Sequence, residues 1–311
     1  MIADLPAEYT RRPIDPETDL RRVSDLLRAC NRHDIGSEDH QDAWVTETWK
    51  SPQYRGGIAI QDRAGALVAV GELEAVDPAT FVDLFMAVGP AHRAAGVRGS
   101  LVRWAEERAA DLAGEPTSLL VSGSAEDASF DQDLSDLGCR HVRTFWHMQR
   151  TVPAAEQPSE PPAGVRVRPS VSGDDDVAIY EVMHEAFAGH FGYVPLSLEA
   201  WWHEQRSSDF YDPALFFLAE VDGRVAGAAS CFLMDDVGWI GEVGVLRPFR
   251  GRGLGKALLR RAFAELATRG AGRARLNVDS QNEAGATRLY ESVGMTVRRA
   301  FNVYEKRVGE G

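Results

Sequence analysis

Residues 250–255 have the sequence Arg-Gly-Arg-Gly-Leu-Gly, and their types and spacing suit the binding of an anion by the main chain. Glycines let a chain turn tightly and approach a ligand without interference from Cβ atoms. An amphipathic helix is predicted to begin in this segment, so its unpaired N–H groups and its positive dipole end point at the same place. The segment therefore predicts a pocket of backbone amides that fits a pyrophosphate.

The spacing of this segment excludes two common nucleotide loops. A P-loop would have glycine at position 250 and Ser or Thr at position 257, where the chain has Arg250 and Ala257. The dinucleotide fingerprint would have a third glycine at position 256, which is Lys256. What remains is an apolar segment at 245–249, interpreted as a strand, followed by Arg-x-x-Gly-x-Gly and a helix.

A second motif follows about 35 residues later, where residues 276–279 predict a strand and a short helix comes next. Its characteristic residues are Asn282, Ala284, Ala286, Leu289, Tyr290, Glu291, Gly294 and Met295. In this order and separation the two motifs resemble the coenzyme A loop and the tyrosine-bearing helix of the GNAT superfamily of N-acetyltransferases. Two motifs together are far more specific than a single glycine-rich turn.

The resemblance implies acetyl-CoA as co-substrate, no metal, and a small-molecule primary amine as acceptor, acetylated by direct attack in a ternary complex. It also implies that coenzyme A lies in a gap between the fourth and fifth strands of the sheet. The residues expected to bind it are Val243, Gly244 and Val245 on strand four, Arg250, Gly251, Arg252, Gly253, Leu254, Gly255 and Lys256 at the loop, and Asn282. A helix-capping role for Asn282 is the alternative.

Two side chains are candidates for proton transfer. Tyr290 is expected to donate a proton to the departing sulfur, the alternative being a packed aromatic. Glu242 is expected to accept the amine proton directly or through water, the alternative being a solvated or ion-paired carboxylate. His184 and His190 are candidates for lining the acceptor pocket, or are surface or packing residues.

The chain contains an internal repeat. Pro13 and Pro169, Gly138 and Gly294, and Phe145 and Phe301 each lie 156 residues apart, and Arg93 and Arg250 lie 157 apart. The proline-rich segment 151–164 is predicted to be an extended linker between domains at 1–150 and 165–311. The predicted fold is a tandem duplication of the GNAT fold, α/β in class, each copy a mixed, mostly antiparallel twisted sheet flanked by helices.

The two copies differ where chemistry would occur. Arg98 stands in the place of Gly255, where a long side chain would crowd a backbone cradle, and Leu134 stands in the place of Tyr290. The first copy is therefore expected to be degenerate and non-catalytic. The alternative is that it holds coenzyme A with Arg98 paired to a phosphate.

Composition restricts the partners. The net charge of −13 on 311 residues disfavours nucleic acid and anionic membranes, and it either attracts a cationic amine or only confers solubility. Six cations near the loop would counter this charge for an anionic cofactor: Arg247, Arg250, Arg252, Lys256, Arg260 and Arg261. The absence of a long apolar stretch or a signal-peptide pattern predicts a cytoplasmic protein. The scattered Cys30, Cys139 and Cys231 are predicted to be buried.

Within the superfamily, the tandem arrangement and segment 210–219 resemble the mycothiol synthases. An acidic residue is expected there early in strand four, and this chain has Trp239. The departure favours a related enzyme with a different acceptor over a mycothiol synthase proper. A non-catalytic acyl-CoA sensor is a further alternative, and the sequence does not determine the oligomeric state.

Overall fold

The computed structural model describes residues 5–282 and 285–309, so Ala284 of the second motif lies outside the described residues. The chain forms two compact units. Unit 1 comprises Met1–Phe145 and Arg299–Gly311, and unit 2 comprises Trp146–Arg298.

Over its described residues, the first half of the chain forms six strands and four α-helices. These are β1 (Tyr9–Pro13), α1 (Pro16–Ile35), α2 (Asp42–Lys50), β2 (Tyr54–Asp62), β3 (Leu67–Glu74), β4 (Phe81–Val88), α3 (Val97–Ala113), β5 (Thr117–Ser124), α4 (Phe130–Asp136) and β6 (Arg140–Thr151).

The second half repeats this order. Its elements are β7 (Val165–Pro169), α5 (Asp176–Phe187), α6 (Leu198–Ser207), β8 (Phe216–Val221), β9 (Arg224–Met234), β10 (Val237–Val245), α7 (Leu254–Thr268), β11 (Arg273–Asp279), α8 (Ala286–Glu291) and β12 (Thr296–Val308).

Each unit contains a six-membered mixed sheet, ordered β1-β2-β3-β4-β5-β12 in unit 1 and β6-β11-β10-β9-β8-β7 in unit 2. The pairs β4–β5 and β10–β11 are parallel, while the pairs from β1 to β4 and from β7 to β10 are antiparallel. The predicted fold class is thereby confirmed.

The last strand of each half lies partly in the unit formed by the other half. In unit 1, residues 301–308 of β12 pair antiparallel with β5. In unit 2, residues 146–151 of β6 lie beside β11, and Trp146 and Met148 pack into the core of that unit. The units therefore differ from the sequence-based bounds at 150 and 165, because hydrophobic alternation identifies a strand without identifying its partner.

The predicted linker also lies in unit 2. The Val152 amide donates to the Gly272 carbonyl at 3.0 Å. Arg260 on α7 donates to Ser159 Oγ at 2.9 Å. This segment is thus an extended strap on the second unit, with its own contacts to the helix that follows the glycine loop.

The core of unit 2 confirms the amphipathic helix predicted to begin at the glycine loop. Leu258, Leu259, Ala262, Phe263 and Leu266 on α7 have no solvent exposure, and the helix packs against β8, β9 and β10. The three cysteines are buried and free, as expected. Burial of this apolar face fixes α7, and with it the position of the loop before it.

The hairpins agree with their turn residues. Asp222 and Gly223 join β8 to β9 with φ of +50° and +74°, the left-handed backbone that a two-residue hairpin requires. Asp235 and Asp236 join β9 to β10. The segment at 245–249 is a correction: the strand ends at Val245, and Arg247–Phe249 is a 3₁₀ turn with Pro248 inside it, because proline cannot continue the ladder.

Candidate active site

Strands β10 and β11 separate after a short stretch of pairing. Val237, Gly238 and Trp239 pair in parallel with Arg273–Arg275, and the ladder ends there. At the same point the β9–β10 register shifts between Ile240 and Glu242, which makes Gly241 a β-bulge. In unit 1 the β3–β4 ladder has no such shift, and β4 pairs with β5 over five residues. Unit 2 thus has an opening between its two parallel strands.

The backbone amides of β10 that face this opening follow from strand alternation. The Leu246 amide donates to Ala226 O on β9 at 3.0 Å, and the Glu242 amide donates to Ser230 Oγ at 3.1 Å. Because successive residues of a strand direct their amides to opposite sides, Val243 and Val245 present theirs to the opening.

Gly244 occupies a different position from the one predicted. By the same alternation, the backbone amide of Gly244 points towards β9 and not towards the opening. A Cβ atom on Gly244 would lie 2.9 Å from Ala186 Cβ and 3.3 Å from Met183 Sδ. The glycine is therefore needed where α5 crosses the sheet, and the close neighbour is a helix of the same unit.

The glycine loop brings a helix terminus to the same opening. Gly251 and Gly253 have φ of +76° and +83°, which L side chains rarely adopt. No side chain caps the first turn of α7, and the first helical amide bonded to a backbone carbonyl is that of Ala257, which donates to Gly253 O at 3.0 Å. The amides of residues 254–256 are thereby left to bind an anion.

Gly255 has a packing role that the sequence did not indicate. Its φ is not in the left-handed region, and a Cβ atom there would lie 2.9 Å from Leu289 Cδ2 on α8. The small residue lets α7 approach the helix that carries Tyr290.

The cations predicted at the loop divide into two groups. Arg260 is bound to Ser159, and Arg261 forms an ion pair with Glu265 at 2.8 Å. In the part of the chain that the structure describes, the remaining four form no salt bridge: Arg247, Arg250, Arg252 and Lys256. Arg250 bends back so that its Nε donates to Val245 O at 3.0 Å, which places its guanidinium at the opening.

Tyr290 lies on α8 at the edge of the unit 2 core and is 8% exposed. Burial raises the pKa of its hydroxyl to about 12, so the phenol stays protonated at neutral pH. A protonated phenol can donate a proton and cannot act as a base. This agrees with the predicted role, which no contact in the structure tests.

Glu242 lies on β10 directly after the bulge. Its Oε2 atom is inaccessible to solvent and has no hydrogen-bond partner among the described residues. Burial, with a further contribution from Glu204, raises the pKa of Glu242 to about 7. A carboxylate that is buried without a partner is costly, and such groups are typical of sites where a ligand supplies the missing donor.

Asn282 lies in the turn after β11. Its backbone N–H donates to Asp279 O at 3.1 Å, and its backbone carbonyl accepts from Gly285 N at 3.3 Å. The residue that caps α8 is Gly285, so the structure does not support a capping role for Asn282. Its contact with the cofactor stays a prediction.

Helix α5 and the segment that follows it add residues to the site. His184 Nδ1 lies 2.7 Å from the Tyr193 hydroxyl. His190 lies close enough to Arg250 and Asp279 for their charges to act on it; burial first, and Arg250 second, lower its pKa. The structure therefore places both predicted histidines in unit 2 near the site, and adds Tyr193, which no motif indicated.

In unit 1, ion pairs between arginines and aspartates occupy the place that corresponds to the glycine loop and its arginine in unit 2. Arg93 donates to both oxygens of Asp34, at 2.7 and 2.9 Å, and its Nε lies 3.0 Å from Asp127. Arg98 is 3% exposed, donates to Asp127 at 2.6 Å and also binds Asp133. Burial alone would raise the pKa of Asp34, but the bonds from Arg93 and His33 outweigh it and lower the pKa. Arg98 thus points into the protein.

The loop of unit 1 also has a different backbone. Its residues Pro90–Ala95 form a 3₁₀ helix, and only Gly96 has positive φ there. Ala94 takes the place of Gly251, so the two-glycine turn of unit 2 does not form. A comparison of the repeats at an offset of 156 would also have shown His190 in the place of Asp34, which is a further signal in the sequence for this difference.

Among residues 5–282 and 285–309, every helix is too short or too polar to cross a bilayer. Within the same ranges, no three His, Cys, Asp or Glu side chains are grouped to hold a metal ion.

Comparison with known proteins gives the same result for the fold and the type of domain. The profile of the Acetyltransferase (GNAT) family matches residues 177–295. A mycothiol acetyltransferase of Thermobispora bispora is 33% identical over 218 residues, which cover 68% of this chain and 71% of that protein.

Two solved structures cover nearly the whole chain. A GCN5-related N-acetyltransferase from Sphaerobacter thermophilus is 29% identical with a TM-score of 0.86, covering 99% of this chain and 98% of that one. A tandem GNAT protein from the clavulanic acid biosynthesis pathway is 16% identical and shares the fold with a TM-score of 0.74, covering 98% of this chain and 100% of that one.

Proposed function

The chain belongs to the GNAT family of acetyltransferases and is an N-acetyltransferase, and from that premise we propose that unit 2 transfers an acetyl group from acetyl-CoA to the primary amine of a small molecule. The observation that carries this proposal is the opening between β10 and β11, which lies at the uncapped start of α7. The attack is direct, within a ternary complex.

The residues present fit coenzyme A. Gly251 and Gly253 form the turn that brings the free amides of α7 to a diphosphate, and Arg250 supplies a positive charge without a protein counter-ion in the described residues. The amides of Val243 and Val245 would bind the pantetheine arm as a strand edge binds a peptide. Acetyl-CoA would supply the acetyl group as an activated thioester.

The protein's own groups provide the proton transfers. An amine that attacks must first lose a proton, and Glu242 Oε2, buried and without a donor, is placed to accept it. The departing sulfur gains from a proton, which the Tyr290 hydroxyl can give because its raised pKa keeps it protonated. The two side chains thus serve as base and acid in one turnover.

Unit 1 is proposed to be non-catalytic. Leu134, which is fully buried on α4, takes the place of Tyr290, and the Arg93–Asp34 and Arg98–Asp127 pairs occupy the loop region. The alternative in which Arg98 binds a phosphate is not supported by its burial and its two carboxylate partners.

The relatives named mycothiol acetyltransferase favour one particular acceptor, the deacetylated precursor of mycothiol. Trp239 argues against it, since this buried indole faces Phe232 where an acidic side chain was expected. We therefore keep the broader class of small primary amines as the conclusion. The non-catalytic sensor is disfavoured by the presence of Tyr290 and of the glycine loop.

The test is thiol release from acetyl-CoA by the wild type and Tyr290→Phe across a panel of glucosamine, spermidine, kanamycin and deacetylated mycothiol. We expect the wild type to acetylate at least one amine and Tyr290→Phe to lose about 100-fold or more in kcat. The coenzyme A dissociation constant should stay the same. Equal turnover would remove Tyr290 from the mechanism, and binding without turnover on every amine would support the sensor.

A further inference from the structure

Tyr193, in the turn between α5 and α6, and His184, on α5, form a pair that the mechanism above does not use. The Tyr193 hydroxyl lies 2.7 Å from His184 Nδ1, and the two rings meet edge to face at 5.8 Å. The Tyr193 amide donates to His190 O at 3.1 Å, which fixes the turn that carries the phenol.

The pair is held rigidly by its surroundings. The Tyr180 ring stacks on His184 at 5.5 Å with an interplanar angle of 21°, and its hydroxyl donates to Leu196 O at 2.8 Å. Ala186 of the same helix packs against Gly244 of β10. His184 is therefore fixed between a stacked ring and a hydrogen bond, on a helix that is packed against the strand of Glu242.

The side chain of Glu242 lies on the face of the sheet that α5 covers, because it is two residues from Gly244 on β10 and the Cβ direction of Gly244 meets Ala186 of α5. Burial is the main cause that raises the pKa of Tyr193, and the charges of Tyr180 and Glu242 add to it. Glu204 on α6 is the other ionisable group that acts on Glu242. The neighbourhood therefore contains carboxyl groups from β10 and α6, and one of them is the buried Glu242 oxygen that has no donor among the described residues.

The direction of the hydrogen bond decides what the pair can bind. When His184 carries its proton on Nε2, its Nδ1 accepts from Tyr193, and the phenol oxygen keeps its lone pairs for another donor. A primary ammonium has three N–H groups and can satisfy both this oxygen and a carboxylate.

We propose that Tyr193, fixed by His184, is an acceptor-positioning residue whose hydroxyl oxygen and Glu242 Oε2 together receive two N–H groups of a primary ammonium. One N–H proton passes to Glu242, and the nitrogen keeps the lone pair that attacks while Tyr193 holds a second N–H group. The inference rests on the proposed function of unit 2. It identifies the ammonium group, and not the rest of the acceptor, as the feature recognised here.

The test is a double-mutant cycle of Tyr193→Phe and His184→Ala, with steady-state kinetics on whichever panel amine the wild type acetylates. Tyr193→Phe should raise the KM for the amine about tenfold, with the KM for acetyl-CoA and the Tm unchanged. His184→Ala should have a similar effect, and the double variant should be no worse than either, because both remove the same contact.

Unit 1 supplies a matched control. The Tyr9 hydroxyl lies 2.9 Å from His92 Nδ1, so Tyr9→Phe removes the same kind of bond away from the site and should leave both KM values unchanged.

An unchanged amine KM in folded Tyr193→Phe, or effects of the two variants that multiply, would overturn the proposal. If Tyr193→Phe does not fold, His184→Ala alone tests the proposal, by the same comparison of the KM for the amine with the KM for acetyl-CoA. Absence of turnover by the wild type on every amine would instead count against the proposed function.

Discussion

Arg93 and Arg250 hold equivalent positions in the two units and bend back onto their own strands in the same way. Arg93 Nε donates to Val88 O at 3.3 Å, and Arg250 Nε donates to Val245 O at 3.0 Å. The two arginines differ in the partners of their terminal nitrogens. Those of Arg93 donate to both oxygens of Asp34, whereas in unit 2 the residue in the place of Asp34 is His190. Arg93 is neutralised by the protein, and Arg250 has no carboxylate partner among the described residues.

This relationship predicts opposite effects of the same substitution. Arg250→Met should weaken coenzyme A binding about tenfold or more, since a charge-assisted hydrogen bond is lost, and should leave the free energy of unfolding unchanged. Arg93→Met should lower that free energy by about 3 kcal/mol or more, since Asp34 is left buried without its counter-ion. Calorimetric titration and urea unfolding of both variants measure the two effects. Weakened binding in Arg93→Met alone would reverse the assignment of the two loops.

The charge network of unit 1 also predicts the stoichiometry of cofactor binding. In unit 1, the two arginines at the corresponding place, Arg93 and Arg98, are already paired with Asp34 and Asp127. Titration of the full chain with coenzyme A should therefore give one site per chain, and this site should be weakened in Arg250→Met. A second site that persists in that variant would show that unit 1 binds the cofactor after all.

The raised pKa of Glu242 predicts the pH dependence of the reaction. Below about pH 7 the carboxyl is protonated and cannot accept a proton, so kcat/KM for the amine should rise with pH through a limb near 7. Glu242→Gln should remove this limb and lower kcat/KM about 100-fold. Because Glu204 helps to raise this pKa, Glu204→Gln should move the limb to lower pH and keep most of the activity. A limb that stays in place in Glu242→Gln would belong to another group.

Two glycines at opposite ends of α7 allow backbone strain to be separated from binding. Gly253 and Gly270 have φ of +83° and +85°, so alanine at either position should cost about 1–2 kcal/mol of stability. Only Gly253→Ala should also weaken coenzyme A binding, because only that turn presents the free amides. Thermal unfolding and titration of the two variants check this, and equal binding by both would mean that the turn is not part of the site.

The exchanged strands predict which fragment is autonomous. Residues 165–311 lack Trp146 and Met148, which pack into the core of unit 2, and retain a strand that pairs in unit 1. This fragment should fail to fold, while residues 146–298 should fold and bind coenzyme A. Circular dichroism and titration of both fragments test this. A folded, binding 165–311 fragment would show that the exchange is not needed for stability.

Much of the architecture followed from local signals. The repeat, the Asp222–Gly223 hairpin, the apolar face of α7 and the order of elements could all be predicted because each depends on neighbours in sequence. The one-residue difference between the repeat spacings has a structural counterpart in the bulge at Gly241, since the matching β3–β4 ladder has no register shift.

The rest depended on contacts between distant residues. Nothing near Gly244 or Gly255 in the sequence shows that a helix packs on each, and both were therefore attributed to the ligand. The bond between Arg93 and Asp34 joins residues 59 positions apart, and no spacing rule identifies such a pair. Tyr193 was missed for the same reason, since its significance comes from Glu242 on a strand far along the chain.

The strand exchange also has a consequence for how the protein is made. The chain emerges from the ribosome amino end first, so residues 1–145 have emerged before β12 is synthesised. Until those final residues arrive, the edge of β5 has no partner from its own unit. The half that is translated first is therefore the half that is completed last.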